Sequence, residues 1–259
     1  MLVRVLGAHN LESRDTRCTS LLLDGRLAID AGSLTSGLDF DEQARVEALL
    51  LTHQHMDHVR DLPGIGLTLR SRERSLPAYM SRQTAEAVTK HLLNGILYPE
   101  FHKYPKGNPT VQLRLMSPEN GFHIGPFTVL PLRATHVDGS VGLRVSDGEG
   151  AAFYFTSDSG PLIEPTRARL QGISVLITEV TMSSANESAA IDAGHMTPRL
   201  LEQELFAFEK SFGRPLPRVV VVHLDPLEEP TVREELAGVE KRLEVQIDMA
   251  YSGMEFEVQ

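Results

Sequence analysis

The sequence predicts an α/β fold of four layers, an αββα sandwich of two β-sheets stacked face to face with helices on both outer faces. Three observations lead there. Short β-rich runs crowd the start of the chain, a second β-rich block begins near residue 111, and from Asp158 onward helix and strand patterns alternate. Two strand-rich blocks require two sheets, and alternation of helix with strand lays helices against a sheet face. The 259 residues can bury a substantial core, and with no repeat, low-complexity linker or composition break they read as one domain, 1–259.

The elements follow in chain order. "LVRVLG" at 2–7, "TSLLLD" at 19–24 and "RLAIDAG" at 26–32 are strands, the last two joined at Asp24-Gly25, a tight-turn pair that accepts positive φ. "VEALLLT" at 46–52 is a strand whose apolar run, Ala48–Leu51, has the pattern of a buried strand. "PAYMS" at 77–81 is strand-like, and "SRQTAEAVTKHLLNGI" at 81–96 reads as a helix. "VQLRLMS" at 111–117, "FTVLPLRATH" at 127–136, "VGLRVSD" at 141–147 and "AAFYFTSD" at 151–158 are strands, with "DGEG" a hairpin turn between the last two. Then come a helix near 162–170, a strand "SVLITEV", an amphipathic helix "PRLLEQELFAFEKSF" at 198–212, a strand "RVVVVHLD" at 218–225, a helix "EPTVREELAGVEKRL" at 229–243 and a closing "EFEV".

Hydrophobic residues make up 41% and charged residues 23%, the balance of a folding globular chain. The formal charge is −10, from 35 acidic and 25 basic residues, so the average surface repels polyanions and a nucleic acid would need a local basic patch. The densest basic cluster, "LRSRERS" at 69–75, is broken by Glu73 and reads as a solvated helix end. Cys18 is the single cysteine, which excludes a disulfide framework and a cysteine-rich metal site, and it reads as a small buried apolar residue. No window approaches about 18 apolar residues and no secretory leader pattern is present, so the expectation is a cytoplasmic protein without a membrane span.

Metal-binding residue types recur where strands end. His53, His55, Asp57 and His58 follow "ALLLT", His136 follows "VLPLRAT", Asp158 follows "FYFTS" and His223 follows "VVVV". Side chains at strand ends of a layered α/β fold share a crevice on a rigid base. Taken alone, a histidine after an apolar strand is an ordinary hydrogen-bonded residue, and Asp158 a helix cap before Pro161. Four such residues around one strand end resist that explanation. Imidazole nitrogen and carboxylate oxygen suit zinc and similar ions, and seven such residues exceed one tetrahedral site but suit two ions sharing a carboxylate, about 3.5–4 Å apart. His9, His91, His102 and His123 lack any such pattern and read as structural or surface residues.

The motif H-x-H-x-D-H, complete as His53, His55, Asp57 and His58 and followed by the later residues in order, resembles that of metallo-β-lactamase-fold hydrolases. The resemblance covers nearly the whole chain. It implies that His53, His55 and His136 hold a first divalent ion, Asp57, His58 and His223 a second, and that Asp158 bridges them. Zinc is the expected metal, with manganese or iron accepted by the same donors. The nucleophile implied is a hydroxide bridging the ions, with Asp57 also orienting its proton. Ser157 and Ser159 then need no nucleophilic role and read as turn residues.

"ITEVTMSS" places Glu179 at another strand end, and "AGHMTPRLL" places His195 in a loop before a helix, with Thr197 as N-cap and Pro198 at N1. A histidine beside a helix start suits an anion, and phosphate is the natural one. The pair is similar to that of the phosphodiesterase branches of the family, which implies Glu179 as orienter and His195 as general acid at the leaving oxygen. "GHMTPRLL" and "HLDP" at 223–226 resemble segments of the class II 3',5'-cyclic-nucleotide phosphodiesterases. Ribonuclease Z is the other branch, but its long tRNA-gripping arm has no room between Asp158 and Glu179.

The expected function is therefore dinuclear hydrolysis of a small phosphodiester such as a 3',5'-cyclic nucleotide. Ribonuclease Z-like RNA processing, hydrolysis of a thioester, lactone or sulfate ester on the same core, and a metal-binding sensor without turnover are the alternatives. The segment "NGILYPEFHKYPKGNP" at 94–109 reads as a packed loop or homodimer contact, or as a lid whose Tyr98, Phe101 or Tyr104 stacks on a base.

Overall fold

Fourteen strands make two seven-stranded sheets in the computed structural model, which describes residues 1–259. In chain order they are β1 (Leu2–Gly7), β2 (Ser20–Leu23), β3 (Leu27–Ile29), β4 (Ala48–Leu50), β5 (Leu76–Met80), β6 (Val111–Leu115) and β7 (Phe122–Ile124). The rest are β8 (Phe127–Arg133), β9 (Val141–Ser146), β10 (Ala152–Phe155), β11 (Val175–Glu179), β12 (Arg218–Val222), β13 (Ile247–Met249) and β14 (Glu255–Glu257). The first sheet runs β14-β1-β2-β3-β4-β5-β6 and the second β13-β12-β11-β10-β9-β8-β7. Each is antiparallel on one side and parallel on the other, the change falling at β3 in one and at β10 in the other.

The period-2 alternation of a strand explains why its runs are apolar throughout. Leu21, Leu23 and Leu50 face the second sheet, where they meet Phe153, Phe155, Val220 and Val222. Their neighbours Leu22 and Leu49 face outward against Leu62, Ile65 and Leu69 of the helix Leu62–Ser71. On the other side Tyr154, Val219 and Val221 meet Leu201, Leu205 and Phe208 of the helix Pro198–Phe212 and Val232 and Leu236 of the helix Glu229–Leu243. Three apolar layers separated by two sheets give the four-layer sandwich. No helix is long and apolar enough to cross a membrane.

Several elements differ from expectation. The helix starting at Arg82 gives way to a π-helical turn at Val88–Leu92 and stops there, short of residue 96. The helix near 162–170 is the single turn Glu164–Arg167. The basic cluster at 69–75 does close a helix, Leu62–Ser71, but the start of that helix and the edge strands β7 and β13 had no sequence expectation. Phe101 is buried in the layer beneath Leu62–Ser71, so close that a Cβ on Gly66 would lie 2.6 Å from its ring. That burial removes Phe101 from any role in stacking on a ligand, and the rest of 94–109 lines neither the cleft at His55 and His223 nor the cavity beside His136.

Candidate metal centre

The structure brings together all seven histidine and aspartate residues singled out at strand ends. One group of ligand atoms comes from His53, His55, His136 and Asp158, a second from Asp57, His58, Asp158 and His223, and in each all atoms lie within 4.8 Å of one another. Asp158 belongs to both. Its Oδ1 is 3.2 Å from His58 Nε2, and its Oδ2 is 3.2 Å from His223 Nε2, 3.5 Å from His53 Nε2 and 3.8 Å from His136 Nε2. Asp57 Oδ2 lies 3.1 Å from His223 Nε2 and 3.4 Å from His58 Nε2.

Four of the five imidazoles are aimed by a bond to their other nitrogen, while His55 Nδ1 instead lies 3.0 Å from His136 Nε2. His136 Nδ1 donates to the Ala193 carbonyl at 3.0 Å, and His58 Nδ1 to Asp30 Oδ2 at 2.8 Å. His53 Nδ1 is 3.1 Å from Thr52 Oγ1, and His223 Nδ1 is 2.8 Å from Thr181 Oγ1. The Nε2 atoms are therefore left with lone pairs pointing at carboxylates and at one another. Nε2 of His53 and His58 and Oδ1 of Asp158 are buried without a hydrogen-bond partner. Leaving a buried polar atom unpaired costs about 1–3 kcal/mol. Three such atoms converging with only nitrogen and carboxylate oxygen around them fit a divalent cation, which accepts every one of these lone pairs at once.

Electrostatics separates the two groups. Burial first, and then the charge on neighbouring imidazoles, holds His53 well below the usual histidine range. His55 and His136 are lowered by burial, with Asp158 opposing. His58 goes the other way: burial would lower it, but Asp158 and Asp30 flank the ring and hold its proton well above the usual range. Asp158 and Asp57 stay charged below the ordinary carboxylate range against their burial, because His223 and His58 face them.

The local backbone is shaped for this. Asp30, Ser157 and His223 adopt left-handed conformations, φ 58°, 58° and 55°, which non-glycine residues rarely hold without surrounding constraint. Asp30 is wholly buried and accepts from Thr52 N at 2.8 Å and from the Thr52 hydroxyl. Ser157 donates to Thr52 Oγ1 at 2.7 Å, and Ser159 accepts from Thr135 N, so both serines are turn residues tied to the frame.

Glu179 ends β11 with no exposed surface, and His195 Nδ1 is 2.7 Å from its Oε1. Ser159 N donates to Oε1 at 2.9 Å, and Thr181 Oγ1 and Met196 N donate to Oε2 at 2.6 and 3.2 Å. His195 follows Gly194, whose φ of 71° ends the helix Glu187–Ala193. A Cβ there would lie 2.7 Å from Thr135 O and 2.9 Å from His136 Cα, so only glycine lets the His195 and His136 loops touch. Thr197 caps the next helix, accepting from Leu200 N at 3.3 Å, with Pro198 at its start. Burial lowers the His195 imidazole, but the Glu179 bond and the charges of Glu179, Asp158 and Asp57 outweigh it and raise it to about 8.

His55, Asp57, Asp158, His195 and His223 open onto a cleft of about 640 Å3, which Asn10, Leu11, Glu12, Met56 and Arg60 also line. Cys18 is buried at its floor, its thiol pushed up to about 11 by burial and by Asp57. Three residues of the frame escaped sequence reasoning: Asp30, Thr52 and Thr181. The available signal was position, since each lies just past a strand end, as the ligand types do.

Residues 30–224 match the family described as beta-lactamase superfamily domain, and the chain belongs to that superfamily. Among curated proteins, an octanoyltransferase of Porphyromonas gingivalis is 29% identical over 143 residues, 51% of this chain and 27% of that protein. A ribonuclease Z of Bradyrhizobium sp. is 23% identical over 249 residues, 73% of this chain and 79% of that protein. The match thus spans only about a quarter of the octanoyltransferase. Among solved structures, YhfI of Bacillus subtilis, a metallo-beta-lactamase fold protein, superposes with a TM-score of 0.77 at 20% identity over 99% of both chains. Yeast PDE1 superposes with a TM-score of 0.80 at 15% identity over 98% of both. These likenesses establish the metallo-β-lactamase fold.

Proposed function

We propose that the protein is a hydrolase of small phosphodiesters that works with two divalent ions, zinc first among them, and that a 3',5'-cyclic nucleotide is its substrate type. The observation that carries this reading is the Glu179–His195 pair, 2.7 Å apart, set beside the two ligand groups and opening onto the same cleft. An ester of a carboxylic acid or a thioester makes less use of a cationic histidine held by a buried carboxylate next to the metals. A phosphodiester uses it twice, as a partner for the anionic phosphoryl oxygens and as a proton source for the alkoxide that leaves.

His53, His55 and His136 would hold one ion and Asp57, His58 and His223 the other, with Asp158 shared. Bound there, the ions would acidify a water and polarise the phosphoryl oxygen. The protein's own residues do the remainder. Asp57 lines the cleft and is the carboxylate assigned to orient the proton of the attacking water. His195 gives Nδ1–H to Glu179, which leaves Nε2 as the atom facing substrate, and its raised value keeps that nitrogen protonated near neutral pH. After donating to the leaving oxygen, the ring stays in the Nδ1–H tautomer against Glu179. The short connection between Asp158 and Glu179, one helical turn and β11, supports a small substrate over a tRNA.

The test is mass spectrometry of products after zinc- or manganese-loaded protein is incubated with 3',5'-cyclic AMP, cyclic GMP and bis-p-nitrophenyl phosphate. The expected result is metal-dependent formation of 5'-nucleotide. Cleavage of the generic diester alone would discard the cyclic nucleotide and retain the chemistry. Failure on all three would overturn the phosphodiesterase reading in favour of thioesters or lactones.

A further inference from the structure

Thr181 stands where the two halves of the centre meet. It leaves β11 two residues after Glu179, while His223 leaves the neighbouring parallel strand β12, paired in register at Glu179 and Val222. The threonine is buried, and its Oγ1 lies 2.6 Å from Glu179 Oε2, 2.8 Å from His223 Nδ1 and 3.1 Å from the His223 carbonyl.

A threonine hydroxyl has one proton to give and lone pairs to accept with. Glu179 acts as an acceptor throughout, taking N–H bonds from Ser159, Met196 and His195. The hydroxyl proton therefore goes to Glu179, at the shortest of the three contacts, and its lone pair takes Nδ1–H of His223. That bond selects one ring tautomer, with Nε2 bare and directed at Asp57 Oδ2, 3.1 Å away, and Asp158 Oδ2, 3.2 Å away. In the opposite tautomer a bare Nδ1 would face a hydroxyl whose proton is already committed.

We propose that Thr181 is a positioning residue that couples the second ion position to the Glu179–His195 pair. One hydroxyl fixes both the ligating nitrogen of His223 and the carboxylate that orients His195. Ion uptake and proton delivery are thereby set together, although His195 and His223 share no hydrogen bond.

The test compares T181V, which keeps the shape and loses the hydroxyl, with T181S, which keeps the hydroxyl, and adds E179Q. Ion affinity is read by competition with a chromogenic zinc chelator, and turnover with bis-p-nitrophenyl phosphate. T181V is expected to lose about 10- to 100-fold in affinity for the more weakly held ion, the usual effect of removing a ligand's hydrogen-bond partner. Its kcat should fall while KM holds, and T181S should restore both. Glu179 shares no hydrogen bond with His223, yet E179Q should weaken the same ion, and that loss should vanish in the T181V background if the shared hydroxyl is its route.

Wild-type ion affinity in T181V, or an E179Q loss that adds in full to that of T181V, would overturn the coupling. If T181V fails to fold, T181A carries the same comparison. The kcat arm rests on the proposed phosphodiesterase reading, whereas the ion arm needs no substrate. A protein that binds ions with these couplings and cleaves no diester would sink the function and keep the inference.

Discussion

Asp30, with no exposed surface, receives Nδ1 of His58 at 2.8 Å, while Nε2 of the same ring lies 3.2 Å from Asp158. The buried carboxylate thus decides which nitrogen of His58 faces Asp158 and the candidate metal centre. Through the Thr52 hydroxyl, which contacts both Asp30 and His53 Nδ1, it also braces a ring of the first group.

Asp30→Asn tests that bracing without disturbing the chain, because asparagine tolerates the left-handed backbone at this position. The amide nitrogen would oppose either the His58 or the Thr52 donors. Affinity for the second ion should drop about 10- to 100-fold. Chelator competition measures it, and an unchanged affinity would remove Asp30 from the centre's frame.

His195→Ala separates catalysis from metal binding. A positioned general acid contributes about 10²–10⁴-fold, so kcat on a phosphodiester should fall within that range. Metal content, read by elemental analysis, should hold near the wild-type value, since His195 is assigned to substrate. Parallel loss of metal and turnover would make His195 a ligand instead.

The opposite shifts of His58 and the first group predict a pH-dependent stoichiometry. An imidazole must be neutral to bind a metal. His53, His55 and His136 are lowered and remain neutral below the ordinary histidine value of about 6.5, so protons compete little for them. His58 is raised and must give up its proton, so second-ion affinity rises with pH and its uptake releases a proton. Loading should approach one ion in acid and rise toward two as the pH increases. Calorimetry in two buffers of different ionisation enthalpy would read the proton, and His136→Ala should abolish the ion that persists in acid. Equal weakening of both ions would contradict the assignment.

How much of this was legible from residues varies by element. The helix Pro198–Phe212 matched its sequence limits because Thr197 and Pro198 mark its start and Gly213 its end. The edge strands β7 and β13 did not, since each has three residues, is only partly buried and exists by pairing with a longer neighbour. The start of the helix Leu62–Ser71, unlike its basic end, was hidden by Pro63, Gly64 and Gly66. Proline is harmless in a first turn, where the missing N–H had no partner, and Gly66 makes space for Phe101 from a distant loop. The residues of the centre were conspicuous because four of them sit in one short motif. Asp30 and Thr181 act on those residues from other strands, and Thr52, although next to His53, takes its part through Asp30, so these roles emerge only once strands are paired.

Phe101→Ala distinguishes packing from substrate contact. Removing a buried phenyl ring costs about 3–5 kcal/mol, so the melting temperature should fall clearly. In the fraction that stays folded, KM for any diester should be unchanged. A raised KM with unaltered stability would return the 94–109 segment to the active site.

The residues of each ion position are divided evenly between the sheets. His53 and His55 come from the first and His136 and Asp158 from the second; likewise Asp57 and His58 face Asp158 and His223. The ions would therefore act as rivets through the sandwich, and a chelator should soften the seam between its halves, lowering the melting temperature and quickening amide exchange along β4 and β10 together. A chain severed in the turn between β6 and β7 would leave neither piece with a whole socket. Reassembly of the two pieces could then be followed by metal capture alone, with no substrate needed.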